Sequence, residues 1–471
     1  MRKLKLLFML CLVAIAASAS KTVYLIPGSW DASDATERYA LYMFNSDTDN
    51  AWVSFTEGAD GTWSAQFDEA YSKMIICRMD GASTENSWAN RWNESANLDA
   101  PAVDGMYYVN KSPNCSNSPW LSIVNPSPNP GDDMTGAIAN SNIDGSADGW
   151  ILDGQCRYYN NNTGFDGTTK FIEFTNWGSS WDASASQTIN HLHNGYYRVR
   201  AAGQMSGVAD CWMKLVANGK ENFFSRNGDT NGNILADGTE TTLGAGKAGW
   251  RYSTTIAKVT NGTLTISVIG HSDSKERWAN ADAFTLTYLG EEIAPNTDVT
   301  DFINNWDFWG CFNGAANFNG WTAEAPNGGN VQKLGDSDVE YWIGTPANGA
   351  FDYYQTVTEL PEGRYAITAS MFSTQGSGPN GNAGVYGTSN STTAFAGVTI
   401  DSNNENHNTY STDIFVNNGE LRLGVKNIGT LTAKWFGVDW IKLNYMGKVI
   451  QDYAVALPTD GAMAADTWYY Y

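Results

Sequence analysis

The chain has 471 residues, with 50 Asp and Glu against 28 Lys and Arg and a formal net charge of −22. No basic stripe interrupts that excess, which argues against a nucleic-acid partner and against attraction to acidic membrane surfaces. A composition of 47 Gly, 19 Trp, 23 Tyr and 19 Phe with 17% charged residues suits many short strands joined by tight turns rather than long helices, and the length allows roughly three domains.

The chain opens with Met1-Arg2-Lys3-Leu4-Lys5, a basic segment, followed by an apolar run from Leu6 to Ala17. That run is too short to span a bilayer and ends in the small-residue pattern Ala17-Ser18-Ala19, so residues 1–19 read as a signal peptide. The expected product is secreted or held at the cell surface, starting at Ser20 or Lys21; losing Arg2, Lys3 and Lys5 takes the net charge from −22 to −25. Cys11 lies inside the apolar run and no Cys stands directly after the cleavage point, which argues against a lipid-anchored start. The remaining cysteines, Cys77, Cys115, Cys156, Cys211 and Cys311, are too sparse and irregular for a disulfide framework or a zinc site. Cys77 reads as a small buried side chain, and a single Cys156–Cys211 bridge is left open.

Residues 20–124 read as a small β-sandwich, with strand-like runs at Val23 to Ile26, Tyr39 to Phe44, Trp52 to Phe55, Trp63 to Phe67, Tyr71 to Met79 and Met106 to Val109. Gly58-Ala59-Asp60-Gly61 closes a hairpin between the third and fourth. Between Glu85 and Glu94 two tryptophans, Trp88 and Trp92, stand among Asn86, Asn90, Arg91 and Asn93. An indole covers the C–H face of a pyranose while amide and guanidinium groups bond its hydroxyls, which makes Trp88, Trp92, Asn90 and Arg91 candidate sugar contacts. The competing reading is that one indole plugs the end of the sandwich. Residues 125–131, Asn-Pro-Ser-Pro-Asn-Pro-Gly, form a stiff linker.

The rest of the chain repeats. From Gly262 the landmarks Trp278, Asp282 and Gly290 follow at +16, +20 and +28, and from Gly419 the residues Trp435, Asp439 and Gly447 follow at the same offsets. Gln187, Leu192, Gly195 and Tyr197 match Gln355, Leu360, Gly363 and Tyr365, and each copy opens with Ile-x-Asn and a later Gly-Trp: Ile138, Asn140, Gly149-Trp150, then Ile303, Asn305, Gly320-Trp321. The copies are placed at 132–290 and 298–447, with a linker at 291–297. Alternation places Asp282, Phe284, Leu286 and Tyr288 on one face of the last strand, and Asp439, Ile441, Leu443 and Tyr445 likewise. The candidate sugar contacts here are Trp177 and Trp181 in a polar loop, Trp342, and the paired Trp278 and Trp435, for which packing at the rim of the core is an equal reading. His191-x-His193 reads as structural, since no third ligand is near. Asp144, Asp148 and Asp153 could supply oxygens to a structural calcium, but no spacing singles them out. No metal site or other cofactor is expected.

With their opening Ile-x-Asn and Gly-Trp, the Gln-Thr-(x)3-Leu-(x)2-Gly-x-Tyr strand and the closing Trp-(x)3-Asp-(x)7-Gly, both copies resemble carbohydrate-binding modules of the galactose-binding-like jelly-roll superfamily. The first domain resembles Ig-like starch-binding modules through Val23-Tyr24-Leu25, Tyr39-Ala40-Leu41-Tyr42 and its Trp-rich loop. The resemblance implies an all-β chain, an Ig-like β-sandwich followed by two repeated jelly-roll β-sandwiches, binding polysaccharide without catalysis, as the targeting part of a larger glycoside hydrolase or on its own. An adhesin-like role against a host or cell-wall glycan or protein is the alternative. No Gly-x-Ser-x-Gly or His-Glu-x-x-His motif occurs, and the chain holds 4 His; a carboxylate pair remains open. The last segment, 448–471, stays apolar to its end with Thr467-Trp468-Tyr469-Tyr470-Tyr471, and reads as the first strand of a further domain, expected to pack poorly and to lack strand partners.

Overall fold

The computed structural model describes residues 20–27, 30, 36, 38–59, 61–109, 121–143, 147–161, 164–165, 170–205, 211–225, 250–310, 314–315, 319–325, 329–334, 338–343, 350–374, 382–399, 406–428, 433–448, 455–456 and 469–470. Residues 1–19, read above as a signal peptide, and Cys115, Asp144, Cys311 and Trp468 lie outside them. Among the described residues every regular element longer than a single helical turn is a strand, and the molecule is all-β, built of sandwiches.

The first unit holds ten strands: β1 (Ser20–Ile26), β2 (Arg38–Ser46), β3 (Asp49–Ser54), β4 (Thr56–Glu57), β5 (Trp63–Asp68), β6 (Lys73–Met79), β7 (Arg91–Glu94), β8 (Leu98–Asp99), β9 (Gly105–Val109) and β10 (Leu121–Val124). They form two sheets, ordered β10-β9-β1-β5-β4 and β3-β2-β6-β7, with β8 also on β6. Alternation along β2 divides its side chains. Tyr39, Leu41 and Met43 join Val23, Leu25, Trp30, Ile76 and Tyr107 in the core between the sheets. Ala40 and Tyr42 point the other way and form a second buried cluster with Ile75, Cys77 and Met79, against which Phe44 and Trp52 pack. The outward face of this sheet is therefore apolar as well.

In the first copy the strands are β11 (Ile151–Gly154), β12 (Cys156–Tyr159), β13 (Phe171–Asn176), β14 (Trp181–Ile189), β15 (Gly195–Met205), β16 (Cys211–Ala217), β17 (Lys220–Phe223), β18 (Arg251–Val259), β19 (Leu264–Ser272) and β20 (Arg277–Gly290). After β21 (Thr297–Asp298) and β22 (Gly314–Ala315), the second copy has β23 (Thr322–Glu324), β24 (Asn330–Leu334), β25 (Asp338–Trp342), β26 (Asp352–Thr358), β27 (Gly363–Thr374), β28 (Ala383–Ser389), β29 (Thr392–Gly397), β30 (Asn408–Val416), β31 (Glu420–Asn427) and β32 (Trp435–Gly447). The sheet β11-β14-β19-β16-β17 matches β23-β26-β31-β28-β29 strand for strand, and β12-β13-β20-β15-β18 matches β24-β25-β32-β27-β30.

The residues that mark the repeat are framework. Gln187 accepts from the Ala139 N–H at 2.9 Å and donates to its carbonyl at 3.2 Å; Gln355 does the same to Asn304, at 2.9 and 2.8 Å. Each clamp bonds both backbone groups of one residue, and at Asn304 these are buried groups that would otherwise go unpaired. Trp150 and Trp321 are buried and donate their indole N–H to the carbonyls of Ala139 and Asn305. Asn140 and Asn305 both adopt left-handed backbone, φ 51° and 52°, a conformation Asn tolerates better than most side chains.

The structure corrects the alternation drawn for the last strand. A register shift between Arg200 and Ala202 inserts one extra residue into β20, where Ala283 has φ 50°. The bulge turns Asp282 to the face opposite Phe284, Leu286 and Tyr288. There it accepts from the Phe165 N–H at 2.7 Å, beside Ala202 and Tyr252, and Trp278 lies on the same outward face as the partner of Thr175. In β32 the matching shift leaves Asp439 as the extra residue.

The core of the second copy takes in residues of the first. Tyr196 and Ile256 of the first copy belong to the cluster containing Phe302, Ile303, Trp306 and Leu443. Asn222 accepts from the Asn305 N–H at 2.7 Å, and Asn304 accepts from the Phe223 N–H at 3.1 Å. Arg198 pairs with Asp301 at 2.7 Å, and Lys220 reaches Thr358 Oγ1 at 2.5 Å.

Cys77, Cys156 and Cys211 form no disulfide. The open Cys156–Cys211 bridge is therefore not made; the two residues lie on β12 and β16, in different sheets of the copy. In the tail, Val455–Ala456 pairs in parallel with Tyr469–Tyr470 as a two-stranded sheet of its own, so the expectation of no strand partners is corrected: these segments pair with each other.

Candidate functional site

The outward face of β3-β2-β6-β7 carries the densest aromatic group near the surface. Tyr42 on β2 is the direct partner of Trp52 on β3, so their rings meet, centroids 4.8 Å apart. Phe44 stacks on Tyr42 at 5.3 Å. Trp88, from the single helical turn after β6, stands edge-on against both Tyr42 and Trp52, at 4.8 and 5.0 Å. It remains 41% exposed. Burial and then the charge of Asp47 raise the Tyr42 phenol, partly offset by its hydrogen bond with Trp88, so it stays a neutral hydrogen-bonding group.

Arg38 holds this loop in place, donating to the carbonyls of Ser83 and Glu85 at 2.5 Å each and to the side chain of Asn86. Asn90 braces the same turn through Ser83 Oγ at 2.9 Å and the Glu85 carbonyl at 3.2 Å; its amide is spent within the loop. Arg91 lies over the Trp88 ring at 5.3 Å and pairs with Glu94. Trp92 is the extra residue of a bulge in β7, 40% exposed, with Arg78 over its ring at 5.2 Å. The loop tryptophans thus have the exposure expected of them, while Tyr42, Phe44, Trp52, Arg38 and Arg78 were not anticipated. Their signal was available in part: Tyr42, Phe44 and Trp52 share the parity opposite to the core residues Leu41, Met43 and Val53.

In the first copy, Trp181 is corrected to a core position. It is 3% exposed and its indole N–H donates to the Arg277 carbonyl at 3.1 Å, because β14 begins at that residue and turns it inward. Trp177, four residues earlier, is 61% exposed on a turn fixed by Asn176, which accepts from the Gly178 N–H and donates to Ser179 Oγ, both at 2.9 Å. On the outward face of β12-β13-β20-β15-β18, half-buried Trp278 lies near Asn280, whose Oδ1 accepts no hydrogen bond from the described residues, and Glu173, held by Arg157 at 2.7 Å. The equivalent face of the second copy aligns Trp342, Trp435 and Thr374 in one row across three strands. Trp342 is exposed, and the buried Trp435 indole N–H has no partner among the described residues. An unpaired buried donor or acceptor costs stability until a ligand or water meets it.

His193 pairs with Glu291 at 3.0 Å, and among the described residues no group of three His, Cys, Asp or Glu is placed to hold a metal. Burial pushes the Cys77 and Cys156 thiols up to about 12, so neither is a thiolate at neutral pH. The chemistry these faces offer is reversible contact: aromatic surface, amide and guanidinium donors, and carboxylate acceptors.

No family model matches the chain, and no curated protein matches it. Several solved structures are similar to it. A family 61 carbohydrate-binding module in complex with β-1,4-galactotriose is 16% identical over 32% of this chain and 95% of its own, with a TM-score of 0.23. The tandem family 22 modules of Paenibacillus barcinonensis Xyn10C are 12% identical over 68% of this chain and 99% of their own, TM-score 0.23. A Paenibacillus xanthan lyase is 14% identical over 85% of this chain and 35% of its own, TM-score 0.23. Likeness this distant carries nothing about ligand or activity.

Proposed function

We propose that the chain is an exported, non-catalytic polysaccharide-binding protein whose principal contact is the outward aromatic face of the first domain, with Trp88 and Trp92 as its stacking rings. Trp177 in the first copy and Trp342 with Trp435 in the second add further contacts, so that one polymer engages several modules at once. A starch-type glycan for the first domain, and a place as the targeting part of a larger glycoside hydrolase, are the finer form of this reading. One observation carries it: Trp88 is held exposed by a loop that Arg38 braces at three points, so the ordering cost of presenting an apolar ring to a sugar is met before binding.

The test is affinity electrophoresis of the full chain in soluble starch, xylan, methyl-esterified pectin and mannan. At least one should retard it, with a dissociation constant between about 1 mM and 1 µM, and Trp88→Ala and Trp92→Ala should each weaken that retardation. Trp92→Ala should leave stability within about 0.5 kcal/mol of the parent. Retardation by none of the four, or by one but unchanged in both variants, overturns the reading.

A further inference from the structure

The opposite sheet of the second copy carries a side-chain network that its fold does not require. On the outward face of β23-β26-β31-β28-β29, Gly424 is the direct partner of both Tyr354 and Tyr386, so no side chain fills the space between the two rings. The guanidinium of Arg422 leans into it, its carbon 3.4 Å from the Tyr354 ring centroid. Its Nε donates to the Tyr386 hydroxyl at 3.0 Å and its Nη2 to Asp352 at 2.6 Å, while Tyr386 donates to the other Asp352 oxygen at 2.8 Å. The Nη1 edge of Arg422 bonds to none of the described residues. Lys426, four residues along the same strand and the direct cross-strand partner of Asp352, places its ammonium 4.0 Å from the Tyr386 ring centroid; its charge acts on the Asp352 carboxyl, but it makes no hydrogen bond or close ion pair among the described residues. Two cationic heads therefore converge on one tyrosine. Asp352 is bonded to one of them, and Glu324 accepts from the Tyr354 hydroxyl at 3.1 Å.

The first copy serves as an internal control. By register, Asp352, Tyr354, Tyr386, Arg422 and Lys426 correspond to Ser184, Ser186, Val216, Thr265 and Ile269. The same sheet forms there with small or neutral side chains at all five positions, so the network is an addition to the framework. In a chain with 28 basic residues against 50 acidic ones, a pair of cations with open donors is an unusual thing to fix at the surface.

We propose that this face binds an acidic sugar residue, a uronate, whose carboxylate is received between the open Nη1 edge of Arg422 and the ammonium of Lys426. A guanidinium held flat and already oriented matches a planar carboxylate, and the Lys adds a rotatable second charge. This rests on the reading of the protein as glycan-binding but uses a face and residues separate from those of the first domain. A sulfate ester offers the same charge with different geometry.

The experiment is affinity electrophoresis of the full chain at low salt in polygalacturonate, in its fully methyl-esterified form and in dextran sulfate. Polygalacturonate should retard the parent and the ester should not contact this face; Lys426→Gln should weaken the polygalacturonate interaction about tenfold, and 0.5 M salt should largely abolish it. Lys426→Gln should keep the parent melting temperature, so loss of binding is not loss of fold. Arg422→Gln gives the same loss of binding with some loss of stability. The first-domain site is read separately by retardation in starch, xylan, methyl-esterified pectin and mannan, so failure here is distinguishable from failure there. No retardation by polygalacturonate, or an interaction that Lys426→Gln leaves unchanged, overturns the proposal. Dextran sulfate binding that Lys426→Gln weakens, without polygalacturonate binding, overturns the uronate and assigns the site to sulfate esters.

Discussion

The two copies are alike where they hold themselves together and unlike where they meet solvent. The glutamine clamps at Gln187 and Gln355, the buried Trp150 and Trp321, and the bulges beside Asp282 and at Asp439 recur at matching places. The outward faces do not. The first copy sets His271 between Asp182 and Asp273, at 2.7 and 3.1 Å, with Trp212 stacked on its ring; the second sets Arg422 and Lys426 over a pair of tyrosines. Apart from the paired Trp278 and Trp435 on the outward faces, a residue type that both copies keep therefore points to the fold, and one that only a single copy has points to what that copy does.

The largest effects should fall on the shared framework. Trp321→Ala should cost about 3–5 kcal/mol, since a buried aromatic is lost and a cavity remains, whereas Trp177→Ala at the surface should stay within about 0.5 kcal/mol. Thermal denaturation of the two variants checks this; equal losses would erase the distinction between framework and face. Gln355→Leu should cost about 1–3 kcal/mol, because the Asn304 N–H and C=O lose their partner while staying buried, and Gln187→Leu should cost less, since the partly buried Ala139 carbonyl keeps the Trp150 indole N–H. A melting temperature unchanged in either would mean that water replaces the clamp.

The smallest effect separates the copies by pH. Burial pulls the His271 imidazole down, but the hydrogen bonds and charges of Asp182 and Asp273 outweigh it and leave its pKa above 6.5. A raised folded-state value means that the stabilisation is fully present below about pH 6.5 and is lost as pH rises through the folded pKa. The second copy has Ile428 at the corresponding register. The melting temperature should therefore fall slightly between pH 6 and pH 8.5, by an amount within the range of a surface ion pair, and Asp182→Asn should reduce that fall. A pH response identical in the variant would place its source elsewhere.

The repeat was legible because its landmarks keep identical offsets, and equal offsets force equal register. The bulge was not, since nothing in Asn280-Ala281-Asp282-Ala283-Phe284 announces a left-handed Ala283, and one inserted residue reverses the facing of every side chain before it. Trp177 and Trp181 share a polar loop in the sequence, yet the start of β14 sends one outward and the other into the core. In the first domain, Tyr42 and Phe44 lie in a strand whose two faces are both apolar, so composition alone gave no sign of which face meets solvent. The pairing of Tyr42 with Trp52 decides it, and that is a property of two strands rather than one.

The seam between the copies also bears on the order in which the molecule assembles. Tyr196 and Ile256 are covered only once Phe302, Trp306 and their neighbours arrive, so whichever copy closes first presents an apolar flank until the other docks. The connection from Glu291 to Asn296 is short, and docking within one molecule has the advantage of proximity. At high protein concentration that advantage shrinks, and the waiting flank accepts the second copy of another molecule just as well. A contact that makes the finished pair firm is thus also the contact through which an exchanged dimer would have to form.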